Sequence, residues 1–130
     1  LKDVERIAGK IGYKNTAQLA EYLLKGSLKE ALAYLHEIDQ GGYNIIQFNK
    51  DLIHYLRRVI TLKMNPDLAG LYEKEITKDE LAHLKNHAVL AQEKKTIVLL
   101  KSLIRAHSEM RYSPFAVVPL EVAVIENLQS

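Results

Sequence analysis

Residues 96–128 read T-I-V-L-L-K-S-L-I-R-A-H-S-E-M-R-Y-S-P-F-A-V-V-P-L-E-V-A-V-I-E-N-L, and the way this stretch divides decides the fold. Ile97, Leu100, Leu103, Ile104, His107 and Met110 recur at spacings of three and four, which predicts one apolar stripe on a long helix. Ser113-Pro114 ends that helix, because proline lacks an amide and disfavours helical geometry in the residue before it. Val118-Pro119 starts another, since a proline in the first turn gives up an amide that has no helical partner. Leu120, Val122, Ala123, Val124 and Ile125 leave the last helix apolar on most sides, which predicts burial. The remaining chain is then expected to pack around a terminal helix reached through a fixed corner.

Moving toward the N-terminus, Thr77-Lys78-Asp79-Glu80 has the spacing of a capping box, opening a helix with Leu81, Leu84, Ala88, Leu90 and Ala91 apolar. Residues 92–95 are compatible with a break or with continuation. Residues 68–76 are mixed and predict a loop with at most a short helical turn. Asn44 to Lys63 predicts the longest helix, striped by Ile45, Phe48, Leu52, Tyr55, Leu56, Val59 and Ile60, and closed by Asn65-Pro66-Asp67. Ser27-Leu28-Lys29-Glu30 reads as another capping box, leading Leu28, Ala31, Leu32, Leu35 and Ile38 to a stop at Gly41-Gly42. Thr16 opens the preceding helix, Lys25-Gly26 closes it, and residues 13–15 read as a connector. Val4, Ile7, Ala8 and Ile11 give a terminal helix over residues 1–12. No segment alternates like a strand. The expected fold is all-α, a compact bundle of six or seven helices with short loops and a proline-bearing corner before the last helix.

Composition sets the outer bounds. The chain has 130 residues, 48% apolar and 26% charged, enough for one buried core and unlike a disordered chain. A net charge of +2 is too small to argue for a nucleic-acid or membrane surface. The chain has no cysteine, which excludes disulfides and thiolate-bound zinc and fits the cytoplasm. No apolar run has the length of a membrane span, and no signal-peptide pattern opens the chain. Opening on Leu1, it reads as a piece of a longer protein.

A catalytic set is not apparent. His83 and His87, four apart, can share a helix face, but H-L-K-N-H lacks the glutamate of a zinc-protease helix and any third ligand. They read as two exposed histidines on a polar face. His107 reads as a partly buried core histidine, although Glu109 and Glu126 stand near it in sequence. No nucleophile on a strained turn, no phosphate-binding glycine loop and no dinucleotide fingerprint occurs. No catalytic, cofactor-binding or metal-binding residue is therefore expected. Two basic stripes, Lys50-Arg57-Arg58-Lys63 and Lys94-Lys95-Lys101-Arg105, keep a helical nucleic-acid-binding domain as an alternative. Seven tyrosines without a tryptophan suit half-buried packing or a protein interface.

Three stretches resemble one family. Residues 27–47, S-L-K-E-A-L-A-Y-L-H-E-I-D-Q-G-G-Y-N-I-I-Q, and 48–63, F-N-K-D-L-I-H-Y-L-R-R-V-I-T-L-K, are similar to its helix pair, glycine turn and long helix. Residues 111–126, R-Y-S-P-F-A-V-V-P-L-E-V-A-V-I-E, are similar to its corner and final helix. The family is the C-terminal collar domain (domain III) of the gamma/tau subunit of the bacterial DNA polymerase III clamp loader. Phe48, Asp51 and Arg57, with Gln47, Leu52 and Leu56, carry the first match; Arg111, Pro119 and Glu121, with Leu120, carry the second. Residues 66–93 and the corner depart from the commonest family form, which keeps the equivalent domain of a delta or delta prime subunit open. The resemblance implies that residues 1–12 are the tail of a preceding lid domain and residues 13–130 the collar. It implies an oligomerisation module with no enzymatic activity of its own. The parent would be an AAA+ ATPase that binds ATP elsewhere and acts in DNA replication. Its implied partners are further copies, delta and delta prime, and an accessory subunit, with DNA and sliding clamp met only through the parent assembly and no membrane. A pairing of Arg111 with Glu121 across the corner is expected on the same grounds.

Overall fold

The computed structural model describes residues 12–129. Its helices are α1 (Tyr13–Lys25), α2 (Leu28–Gln40), α3 (Ile45–Met64), α4 (Ala69–Tyr72), α5 (Lys78–Leu90), α6 (Glu93–Met110) and α7 (Val117–Leu128), with a 3-10 turn at Pro66–Leu68 before α4. No strand occurs among the described residues, so the all-α expectation holds. The helix foreseen over residues 1–12 falls outside the described residues except for Gly12, which is extended and precedes α1.

Helix α3 is the axle. Asn44 caps it, its side-chain oxygen accepting the Gln47 amide at 3.0 Å, and it runs for 20 residues. It packs against α1, α5, α6, α7 and the 3-10 turn, so much of its circumference is covered. Phe48, Leu52, Leu56 and Val59 are fully buried along it. Asn49 is buried too and donates from Nδ2 to the Leu103 carbonyl at 3.1 Å, tying α3 to α6 by a polar contact inside the core. Two hydrophobic clusters share this axle. The larger joins Leu19, Leu35, Phe48, Leu103, Leu120 and their neighbours, and the smaller joins Val59, Leu62, Leu84, Ala88 and Ala91.

The ends of the helices separate the two expected capping boxes. At Thr77 the box is complete: Oγ1 accepts the Glu80 amide at 3.1 Å and Glu80 accepts the Thr77 amide at 2.8 Å. Ser27 makes no side-chain cap. Its amide already donates to the Tyr22 carbonyl at 2.9 Å, closing the end of α1 beyond the left-handed Gly26, φ 73°. The C-cap of α1 thus takes the amide that Glu30 would accept in the reciprocal half of a capping box. Helix α1 begins at Tyr13, three residues before the expected start at Thr16, so residues 13–15 are helical rather than a connector. Ala91 and Gln92 are extended and break α5 from α6 without a glycine or proline.

Candidate oligomerisation surface

Helix α6 carries two apolar faces. Thr96, Leu99, Leu103, Ala106 and Met110 are buried against α3 and α7. Ile97, Val98 and Ile104 lie on the outside, Ile104 at 52% exposure. The stripe expected from the sequence combined members of both faces: Leu103 and Met110 are inside, Leu100 and His107 half-buried, Ile97 and Ile104 outside. Ile97, Leu100 and Ile104 are spaced by three and four just as Leu99, Leu103, Ala106 and Met110 are, so periodicity alone does not separate outside from inside.

The last helix corrects the second expectation. Leu120, Ala123 and Val124 are buried, but Val118, Val122 and Ile125 are exposed, Val122 at 46%. Val118, Val122 and Ile125 are four and three residues apart and form an outward stripe. Helix α7 is thus covered on one side only. The corner between α6 and α7 is held by Ser113, whose hydroxyl donates to the Phe115 carbonyl at 2.8 Å and accepts the Phe115 amide at 3.2 Å. This turn leaves Phe115 and Tyr112 outside, Tyr112 at 87% exposure. Pro119 lies half-buried in the first turn of α7. The exposed set spans α6, the corner and α7 and is the candidate association surface.

Between α1, α3 and α5 lies a polar seam whose groups find partners. His87 of α5 is 2% exposed and uses both ring nitrogens. Nε2 lies 3.2 Å from Glu21 of α1, and Nδ1 bonds the Tyr55 hydroxyl of α3. Glu21 as a carboxylate only accepts, so Nε2 carries the proton and Nδ1 accepts from Tyr55. Burial pushes the His87 ring below the usual imidazole value, against the pull of Glu21. The hydrogen bond from His87, aided by Lys25, holds Glu21 below the usual carboxylate value. Burial, then the Glu21 charge, pushes the Tyr55 phenol well up, keeping it a donor. Beside this seam, Tyr13 donates to Asp79, and its ring meets His83 edge-on at 5.8 Å. The expected pair of exposed histidines is therefore wrong for His87. Among the described residues, no group of three or more His, Asp or Glu side chains is placed to hold a metal.

The other sequence-derived residues scatter by role. Phe48 is at the core. Asp51 accepts the Gln47 side-chain amide at 2.9 Å on the surface of α3. Arg57 and Arg111 are exposed, and Glu121 is half-buried. The four ion pairs among the described residues do not include Arg111 with Glu121, so the expected corner pair is absent. The first basic stripe is broken up, since Arg58 pairs with Glu75 at 3.1 Å and lies over Tyr72, and Lys63 donates to the Ala88 carbonyl at 3.1 Å. Lys94, Lys95, Lys101 and Arg105 remain exposed on α6 among the isoleucines. His107 is half-buried, and its Nδ1 is buried without a hydrogen-bond partner among the described residues.

The chain is 27% identical over 130 residues to DNA polymerase III subunit tau of Bacillus subtilis (strain 168), covering all of this chain and 23% of that protein. The chain therefore spans about a quarter of its curated relative's length. No solved structure matches it. The statistical description of one family, DNA polymerase III subunits gamma and tau domain III, matches residues 1–129. With that match over nearly the whole chain, and an all-helical bundle to go with it, the chain belongs to the domain III family of the gamma and tau subunits of DNA polymerase III.

Proposed function

We propose that this domain is the oligomerisation (collar) module of a clamp-loader subunit of DNA polymerase III. In this reading it joins AAA+ ATPase subunits that load the sliding clamp during replication. The observation that carries it is the set of outward apolar side chains on α6, the corner and α7, which the described residues leave uncovered. Exposed side chains of this size and number are costly to leave in water and become favourable when a neighbour covers them, at roughly 25 cal/mol per Å². The partners are further copies and the companion clamp-loader subunits, delta and delta prime. An accessory subunit, the primed DNA and the clamp belong to the parent assembly. The family match names gamma and tau, which favours that subunit over the delta type.

Cytoplasmic placement suits this role, and no described helix is long and apolar enough to cross a membrane. The domain contributes no chemistry of its own in this reading: ATP is bound and hydrolysed elsewhere in the parent. Light scattering of the isolated chain across a concentration series tests the proposal. Mass that rises with concentration is expected. A mass that rises only when DNA is added points instead to nucleic-acid binding through the α6 cations, with the steep salt dependence of such contacts.

A further inference from the structure

A cavity of about 310 Å³ opens where the end of α1, the start of α6 and the end of α7 meet. Its walls are of two kinds. Leu23, Leu24, Leu99 and Leu128 give it an apolar floor. Lys25, Gln92, Lys95, Thr96 and Asn127 give it a polar rim, and no carboxylate lines it. Thr96 is the informative group. It is 2% exposed and lines the cavity, and its hydroxyl makes no hydrogen bond among the described residues. Thr61, also within a helix, turns its hydroxyl back on the Arg57 carbonyl at 2.8 Å instead. A hydroxyl buried without a partner loses its bonds to water and gains none, unless a bound group supplies one.

Electrostatics sets the sign of that group. The amides of residues 93–95 have no acceptor within α6, and Gln92 places no side-chain cap on them. They form the positive end of an 18-residue helix. Lys95 stands in the same turn and joins no ion pair among the described residues. Lys25 is shared with Glu21 at 3.2 Å, and Glu93 offsets Lys94 in the first turn, so neither pair decides the sign. The C-terminal ends of α1 and α7 border the other walls. There the Tyr22 and Leu23 carbonyls already accept from Ser27 and Gly26, and the Ile125 carbonyl accepts from Gln129. The free donors are therefore on the α6 side, with leucines beside them.

We propose that this cavity binds a small organic anion. Its carboxylate or phosphate sits at the first turn of α6, with Lys95 and the Thr96 hydroxyl as donors, and its apolar body lies over Leu23, Leu99 and Leu128. Asn127 spends its Nδ2 on the Ala123 carbonyl at 2.8 Å, which leaves its Oδ1 to accept from a hydroxyl or amide on that body. The site is complete within one copy of the chain and does not depend on the oligomerisation reading.

Two-dimensional NMR of the isotope-labelled chain, titrated separately with phenyl phosphate, benzoate, inorganic phosphate and benzyl alcohol, tests it. Saturable shifts centred on the amides of residues 93–96 and the Asn127 side chain are expected with phenyl phosphate or benzoate, and the tighter of the two names the head group. Inorganic phosphate and benzyl alcohol, each with half of the chemistry, are expected to bind about tenfold more weakly. Lys95→Ala, at an exposed position, is expected to weaken the better anion about tenfold, and Thr96→Val about threefold. Thr96→Val should melt no lower than the wild type, since its hydroxyl has no bond within the domain to lose. Shifts that do not saturate, benzyl alcohol bound as tightly as either organic anion, or an affinity unchanged in both variants overturns the site. A Thr96→Val chain that melts well below the wild type shows the hydroxyl to be held within the domain and overturns it as well.

Discussion

The two sides of α3 solve the same packing problem with different chemistry. Toward α1 and α5, the contact is sealed: His87 has a partner at each ring nitrogen, Glu21 accepts from His87 and Lys25, and the buried carbons lie between them. Toward α6 and α7, the inner faces are equally well buried, yet both helices carry further isoleucine and valine on their outer faces. The first side spends its polar side chains within the domain. The second holds a larger set of apolar side chains that the described residues leave uncovered, although Val89 and Leu90 of α5 are exposed as well. The uncovered face of α6 and α7 is where the proposed association would take place.

The comparison can be broken most strongly within α6, where neighbours in sequence fall on opposite faces. Leu103→Ala removes a fully buried side chain and is expected to cost about 2–5 kcal/mol of stability in denaturant unfolding. Ile104→Ala, one residue on, is expected to change stability by no more than about 0.5 kcal/mol and to act on association instead. Equal losses in the two variants would mean that the outer face is covered within the domain.

The seam is the next largest. His87→Ala leaves Glu21 and Tyr55 without their partner and is expected to cost about 1–3 kcal/mol. Its pH dependence has a definite sign. His87 and Glu21 both titrate lower in the folded chain than when unfolded, so the unfolded chain binds more protons on acidification. The His87 contribution is complete above the usual imidazole value of 6.5 and is lost as pH falls through the folded value. Glu21 adds its loss below 4.5. Tyr55 is shifted upward, so its contribution is complete below 10 and declines as pH rises beyond it. Melting temperature followed across pH should therefore fall at both extremes, and His87→Ala should flatten the decline just below neutrality.

Smaller effects sharpen the reading of the helix ends. Thr77→Ala is expected to cost about 1 kcal/mol, whereas Ser27→Ala, with no cap bond to lose, should cost a few tenths. A double-mutant cycle on Arg111 and Glu121 should show additive effects, since the two side chains form no ion pair.

The architecture was legible because α3, α5 and the proline corner are written in local signals: Asn44, the Thr77 box, Asn65-Pro66 and Ser113-Pro114. What was not legible depends on neighbours. Ser27 has a capping sequence, but its amide goes to the Tyr22 carbonyl in the last turn of α1. The Ala91-Gln92 break has no glycine or proline to announce it, and Ala91 instead packs into the smaller cluster. His87 reads as a surface histidine until α1 and α3 bring Glu21 and Tyr55 to it across 66 and 32 residues of sequence. Ile97, Ile104, Val122 and Ile125 read as core because hydrophobic spacing reports that a face is covered without saying by what. The family resemblance found the domain but placed its residues in mixed roles: Phe48 is core, Asp51 lies on the surface of α3, and Arg111 and Glu121 stay apart.

Sedimentation equilibrium on the wild-type chain beside an Ile104→Asp, Val122→Asp variant is the most direct test of the central claim. Both positions are exposed, so the two proteins should melt within a few degrees of each other. The account predicts a wild type that self-associates with rising concentration and a variant that remains monomeric over the same range. Undiminished association in the variant, or a wild type that is monomeric throughout, would contradict it.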